Sequence, residues 1–296
     1  MRTLTLALIG LIAACSTAET EAIGTEHPLA GQIWDVSAGE PLSRDALAAH
    51  LDAAEFVVLG EVHDNPRHHE RQAWLTGRIA PAGLAFEMIP RASEDGIRVF
   101  LEQGGVRTRI GEVIGWSRLG WPDWDMYAPI LSAAPDAYIA GAGVRRADLR
   151  RAMREGPAAA FGEGSVGFGL HKALDPAERT AREDAMIASH CDRLPRAAAG
   201  GMVDAQRLRD ARFAEAVRRA ARKGGGQAVL ITGNGHARTD HGVPAMLAED
   251  GIEGVRALGQ IEVREGDTEP GKYAMPYDYV WFSARPVRED PCAAFE

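Results

Sequence analysis

The chain has 296 residues and a formal charge of −9, from 33 Lys and Arg against 42 Asp and Glu. A hydrophobic share of 46% and a charged share of 25% are those of a globular protein, which excludes wholesale disorder, a collagen-like fibre and a polytopic membrane protein. No net basic field is present to displace counterions from phosphates, so nucleic acid is excluded as a general partner.

The first element is not part of a fold. Met1-Arg2 is a positive start, and residues 4–12 form an apolar run interrupted by Thr5 and Gly10. The run has the length of a signal-peptide core and is too short to span a bilayer. It ends in Ile12-Ala13-Ala14-Cys15, which resembles the bacterial lipobox. Residues 1–14 are therefore expected to be a signal peptide, with Cys15 as the lipidation site. Residues 15–23, small and polar at their start, read as a tether to a single domain over 24–296. Acyl chains hold a protein to a membrane through about 0.8 kcal/mol per buried methylene. Ser16 directly after the cysteine favours the outer membrane, so the expected location is a lipid anchor in the bacterial envelope. Cys191 and Cys292 remain, and unpaired thiols are the expectation for them, although an extracytoplasmic compartment permits a disulfide.

Four continuous apolar runs follow at residues 55–60, 83–87, 136–140 and 227–232, as expected of strands buried on both faces. Helices are predicted between them. Asn65-Pro66 and Asp175-Pro176 supply cap and first-turn chemistry for helices reaching about Gly77 and Arg193. A long helix runs from Ala205 to about Lys223 and stops at Gly224-Gly225-Gly226. Residues 277–282 read as a late strand suited to an edge. Alternating strands and helices predict an α/β fold, with a mixed, mainly parallel sheet flanked by helices on both faces. Residues 91–129 form a helical excursion that holds Trp116, Trp121, Trp124 and Tyr127. This aromatic group is either a satellite core or an apolar wall for a flat ligand.

Ionisable residues close three of the predicted strands. Glu61 and His63 follow the first, with His68 and His69 in the next helical turn. Glu87 closes the second strand, and His236 lies past the fourth in Gly233-Asn234-Gly235-His236. In an open α/β sheet the carboxyl ends of parallel strands form the ligand edge. Glu61, His63, Glu87 and His236 would converge there, as ligands for a divalent metal or as carboxylate-oriented imidazoles for acid–base work. Glycines at 60, 233 and 235 would allow tight turns and close approach of a ligand. The only G-x-G-x-x-G spans residues 162–167, follows no strand and opens no helix, so nicotinamide binding is not expected.

The block from Gly60 to Asn65 with His68, His69 and Gln72 resembles the opening signature of the ChaN-type haem-binding lipoproteins. Phe86-Glu87-Met88, the Trp/Tyr block at 121–129, and the blocks at 204–210 and 233–244 resemble their later motifs in order. The resemblance covers most of 50–250 and implies a ChaN-like domain that handles haem for iron uptake. It further implies a homodimer enclosing two ferric haems, each iron held by a tyrosinate with a partner histidine near the propionates, and a haem transporter or receptor as a further partner. Tyr127 is the tyrosine chosen as ligand, with Trp124, His68 and His69 around the haem. Tyr277 and Tyr279 are in reserve, and Tyr138 is read as core. Erythromycin-esterase-like and Tiki proteins are similar in a paired G-x-x-H, here Gly60 to His63 and Gly233 to His236, plus Glu87. They imply an alternative: a hydrolase, metal-dependent in some members, with His63 as base and Glu87 and His236 in support.

Overall fold

A computed structural model describes residues 22–290 and 292–293. The signal peptide and Cys15 fall outside the described residues. Ala22 and Ile23, expected in the tether, form a short strand, β1 (Ala22–Ile23), paired with β10 (Arg285–Pro286).

The remaining strands form one eight-stranded sheet. They are β2 (Ile33–Asp35), β3 (Glu40–Leu42), β4 (Phe56–Glu61), β5 (Gly83–Pro90), β6 (Tyr138–Gly143), β7 (Ala228–Gly233), β8 (Val255–Glu262) and β9 (Tyr279–Ser283). Their order is β3-β2-β9-β8-β4-β7-β5-β6. Every pair from β9 to β6 is parallel, while β2 runs antiparallel to both β3 and β9. The sheet is thus mixed and mainly parallel, as the sequence pattern required.

Both faces are covered. Val57 and Leu59 of β4 join one core with α1 (Arg44–Asp52), α2 (Pro66–Ile79), α3 (Glu94–Glu102), α4 (Ile110–Ile114) and α5 (Trp124–Ala133). Phe56 and Val58 point the other way, into a core with α6 (Arg146–Glu155), α7 (Pro157–Phe161), α9 (Arg196–Gly224) and α10 (Val243–Glu249). The period-two alternation of side chains explains why β4 is apolar throughout. Outside α9 packs α8 (Pro176–Ala188). Among the described residues no helix is long and apolar enough to cross a membrane.

Local chemistry sets the helix ends. Asn65 Oδ1 accepts from Arg67 N at 3.1 Å, and Pro66 occupies the first helical position of α2. Such a cap contributes about 1 kcal/mol. Helix α9 begins nine residues before the predicted start, and α8 ends at Ala188 rather than near Arg193. The late strand is also corrected. β9 lies inside the sheet between β8 and β2, with Val280 and Phe282 fully buried. The two strands beyond it, β2 and β3, are three residues each and carry too little pattern to be read beforehand.

The expectation of free thiols is overturned. Cys191 and Cys292 form a disulfide across 101 residues of sequence, with Cα atoms 5.6 Å apart. It ties the C-terminal segment to the turn between α8 and α9, a constraint that typically stabilises by about 2–4 kcal/mol.

Candidate functional site

The carboxyl ends of β4, β7 and β5 meet at one edge, with Glu61 in register with Gly233. The turn that follows β4 is held from inside. Val62 N–H donates to His68 Nδ1 at 2.9 Å, and His68 Nε2–H donates to Ser283 Oγ at 2.8 Å. His69 Nε2–H donates to the His63 carbonyl at 2.9 Å. His68 and His69, expected around a haem, are instead 0% and 1% exposed and brace the turn. The first turn of α2 packs directly on the end of the sheet, which leaves those rings no route to solvent. Burial holds the His68 imidazole well below its ordinary pKa, with the Arg71 guanidinium adding to the effect.

Glu61 is 2% exposed and is the anchor of the first cluster. It accepts from His63 Nδ1 at 2.7 Å and from the Tyr127 hydroxyl at 3.0 Å, both at Oε1, while His69 Nδ1 lies 3.3 Å from Oε2. His63 stands above this carboxylate with its side chain one-third exposed, and the Trp121 ring lies 4.9 Å away. Burial pulls the His63 pKa down. The Glu61 hydrogen bond and the charges of Glu61 and Glu87 outweigh that and hold it above its ordinary value.

Glu87 forms the second cluster. Its Oε2 accepts from Thr232 Oγ1 at 2.7 Å and from Gly233 N at 2.9 Å. Its Oε1 lies 3.6 Å from His236 Nε2, and His236 Nδ1–H donates to Asp210 Oδ1 at 2.6 Å. Burial alone would raise the Glu87 pKa, but His236, His63 and the two donors bring it below the ordinary value. Burial lowers His236, and the flanking Glu87 and Asp210 reverse the sign. Gly233 is where the two clusters touch. A Cβ there would stand 2.9 Å from His63 Nε2 and 3.7 Å from Glu87 Oε2. That space serves the protein's own side chains, as does that of Gly60, where a Cβ would lie 2.5 Å from Asn234 Oδ1.

The four predicted strand-end residues therefore come together, but not as a coordination shell. Among the described residues no group of three or more His, Cys, Asp or Glu side chains is arranged to hold a metal ion. The reason is visible in the bonding: Glu87 is committed to Thr232 and Gly233, and Glu61 to His63 and Tyr127. Glu61, His63, Glu87 and His236, read as tentative metal ligands, meet here as hydrogen-bonding and charge partners of Tyr127, Thr232, Gly233 and Asp210.

Asp210 was missed as a site residue. It is 0% exposed on α9, seven positions after buried Val203 and seven before buried Val217. An acid at helical spacing between buried Val203 and Val217 was the available signal. Tyr127, predicted to meet a ligand, is 0% exposed. Burial, then the charge of Glu61, pushes its pKa far up. Trp124 meets Trp116 edge to face at 4.8 Å and gives its indole N–H to the Thr108 carbonyl at 2.6 Å. Trp116 and Tyr127 belong to the main core, not to a satellite.

Two cavities flank the clusters. One, of about 840 Å³, is bounded by Glu87, Leu119, Trp121 and Phe213, with Arg145 and Arg146 at its rim. Trp121 is thus the aromatic that forms a wall. The other, of about 650 Å³, lies between α8 and α9 and is lined by Gln206 and Gly235 on its inner side. The Gln206 amide lies 3.1 Å from His236 Nδ1.

Comparison with known proteins agrees with this architecture. Over 87% of this chain and 97% of the other, the fold is similar to that in "Cofacial heme binding to ChaN of Campylobacter jejuni", with a TM-score of 0.66 and 16% identity. The type III effector HopBA1 has a TM-score of 0.43 at 14% identity, covering 81% of this chain and 93% of that one. An erythromycin esterase, EreC, has a TM-score of 0.39 at 14% identity, covering 85% and 81%. Neither of these two is near enough to carry an argument. No curated protein sequence matches. The family described as haem-binding uptake, Tiki superfamily, ChaN matches residues 47–247, well over half of the sequence. The chain belongs to that family.

Proposed function

We propose that this chain binds haem in the cavity walled by Trp121, at the carboxyl edge of the sheet. The observation that carries the reading is the shape and lining of that cavity. Its volume of about 840 Å³ falls in the range of small-molecule sites. Leu119, Trp121, Val144 and Leu149 offer apolar surface to a flat macrocycle, and Arg145 and Arg146 stand where propionates would need cations. Arg145 is paired with Asp148, whereas Arg146 has no ion pair among the described residues. Bound ferric haem would supply a Lewis-acidic iron whose behaviour is set by its axial ligand. The chain's part is to exclude water from the ring and hold the propionates.

The tyrosinate implied by family resemblance does not suit Tyr127. A tyrosinate ligand must lose its proton, and both burial and Glu61 oppose that here. We assign Tyr127 the role of holding Glu61. Of the reserve pair, Tyr279 is buried beside His50, and Tyr277 is half-buried and gives its hydroxyl to the Asn234 carbonyl at 3.3 Å. Neither lines the Trp121 cavity, and burial pushes the Tyr277 hydroxyl up to about 12, so neither of this pair is assigned to the iron. A second copy of the chain would cover the open side of the cavity and complete a haem-bridged homodimer. Cys15 would anchor the protein at the outer membrane, and release to the soluble fraction by Cys15→Ser tests this. Haem would then pass to or from a transporter or receptor in the envelope.

The test is a titration of purified protein with ferric haem, followed by absorbance and size-exclusion chromatography. A saturable Soret shift with a change from monomer to dimer is expected. No spectral change in either fraction overturns the reading.

One observation favours a second reading, the alternative of a Tiki-type or erythromycin-esterase-like hydrolase. Two carboxylate–imidazole pairs, Glu61–His63 and Asp210–His236, flank Glu87 beside an open cavity. His63, oriented by Glu61, would take a proton from attacking water, and the imidazolium would return it to the leaving group. Hydrolysis of an ester or peptide panel, abolished by His63→Ala, is the expected result. Absence of turnover across the panel removes this alternative.

A further inference from the structure

The cavity between α8 and α9 meets the one assigned to haem at Arg209, which lines both, and the rest of its lining has a different character. Ala185, Met186 and Met202 give it an apolar floor. Three guanidinium groups, Arg182, Arg209 and Arg238, face two acids, Glu178 and Asp240. In a chain of net charge −9 this is a local excess of one positive charge.

The cations are unevenly satisfied. Arg238 is held by Asp240, with Nη2 to Oδ2 at 2.6 Å. Arg182 has a side chain only 8% exposed, reaches Glu178 Oε1 at 3.3 Å through Nη1, and its buried Nη2 has no hydrogen-bond partner among the described residues. A buried polar group without a partner costs free energy, and because this nitrogen is closed to solvent, an acceptor meets it only after the Arg182 side chain turns toward the cavity. Arg209 is half-buried and forms no ion pair among the described residues. His241, on the same wall, adds no charge at neutral pH. Burial and the Arg182 guanidinium bring its pKa to about 4.

We propose that this cavity is a second ligand site, for a small amphipathic monocarboxylate whose carboxylate meets the Arg182 and Arg209 guanidinium groups while its apolar body lies along Ala185, Met186 and Met202. A single excess charge matches a monoanion. The apolar floor favours a hydrocarbon tail over an inorganic anion, and a volume of about 650 Å³ accommodates a medium-length chain. Guanidinium forks pair with carboxylates in bidentate fashion, which fixes the head and leaves the tail to the floor.

Isothermal titration calorimetry on the intact protein with octanoate tests this, with 1-octanol and inorganic phosphate as probes of tail and charge alone. Octanoate is expected to bind once per chain, and at least tenfold more tightly than either control. Arg209→Gln, which leaves no acid unpaired, should weaken octanoate at least tenfold. Met202→Trp fills the cavity and should abolish octanoate binding while the ferric haem titration stays as in wild type. A circular dichroism melt shows whether each variant is folded. Three results each overturn the proposal: no saturable octanoate heat in wild type, 1-octanol or phosphate binding as tightly as octanoate, or unaltered octanoate binding in folded Met202→Trp.

Discussion

The two carboxylate–imidazole pairs at the sheet edge are chemically alike and physically opposite. Glu61 and His63 are two residues apart on one turn, and the imidazole is one-third exposed. Asp210 and His236 come from α9 and the β7 turn, with side chains 0% and 9% exposed. The same hydrogen bond therefore has different consequences. In the open pair it fixes a tautomer and leaves a ring that a ligand can meet. In the closed pair it neutralises charge that burial would otherwise expel, and it fixes where α9 lies against the sheet. Glu87 stands between them and is sensitive to both.

The closed pair is where a substitution should cost most. Asp210→Ala leaves His236 buried beside Glu87 without its second carboxylate. Removing one partner of a buried pair typically destabilises by about 3–5 kcal/mol. Urea unfolding should show that loss, and a loss below about 1 kcal/mol would mean that the pair does not order α9. The next effect belongs to the open pair's support. Tyr127→Phe removes a hydrogen bond to a charged acceptor and should cost about 1.5–3 kcal/mol. The ferric haem spectrum of the Tyr127→Phe variant should be that of wild type. Loss of a tyrosinate charge-transfer band in this variant would instead return Tyr127 to the iron.

The same contrast explains what was legible in the sequence. Contiguous features could be read: β4 as an apolar run, Asn65-Pro66 as a helix start, and Glu61, His63, Glu87 and His236 as residues at strand ends. Each is coded within a few positions. Asp210 required knowing which face of a 29-residue helix meets the β7 turn, and a chain position 26 residues from His236 does not say that. Tyr127 and Trp124 were misplaced for a related reason. An aromatic-rich segment marks both a core and a ligand wall, and only the packing assigns Trp116 and Tyr127 to the first and Trp121 to the second. His68 and His69 show the limit on polar residues. Imidazoles serve as internal hydrogen-bonding struts as readily as they serve as ligands. Pairing of Cys191 with Cys292 depends on a 101-residue loop closing, which no local pattern encodes.

The smallest expected effect separates the open pair from its own bracing residue through pH. His63 has a folded pKa above the ordinary 6.5. Its stabilising contribution is fully present below 6.5 and is lost as pH rises through the folded value. His68 has the reverse sign: its folded pKa lies well below 6.5. Its contribution is present above 6.5 and is lost as pH falls through the folded value, because the unfolded chain takes up the proton first. Two variants separate these terms. His63→Ala should cost less than about 1 kcal/mol, since an ion pair with one exposed partner is screened by solvent, and the cost should be greater at pH 6 than at pH 9. His68→Gln should flatten the wild-type loss of stability on acidification below 6.5. Urea midpoints for both variants and wild type across that range read both signs. A His63→Ala cost that grows toward pH 9 would mean that Glu61 does not hold the imidazolium, and the open pair would then no longer differ from the closed one by its available charge.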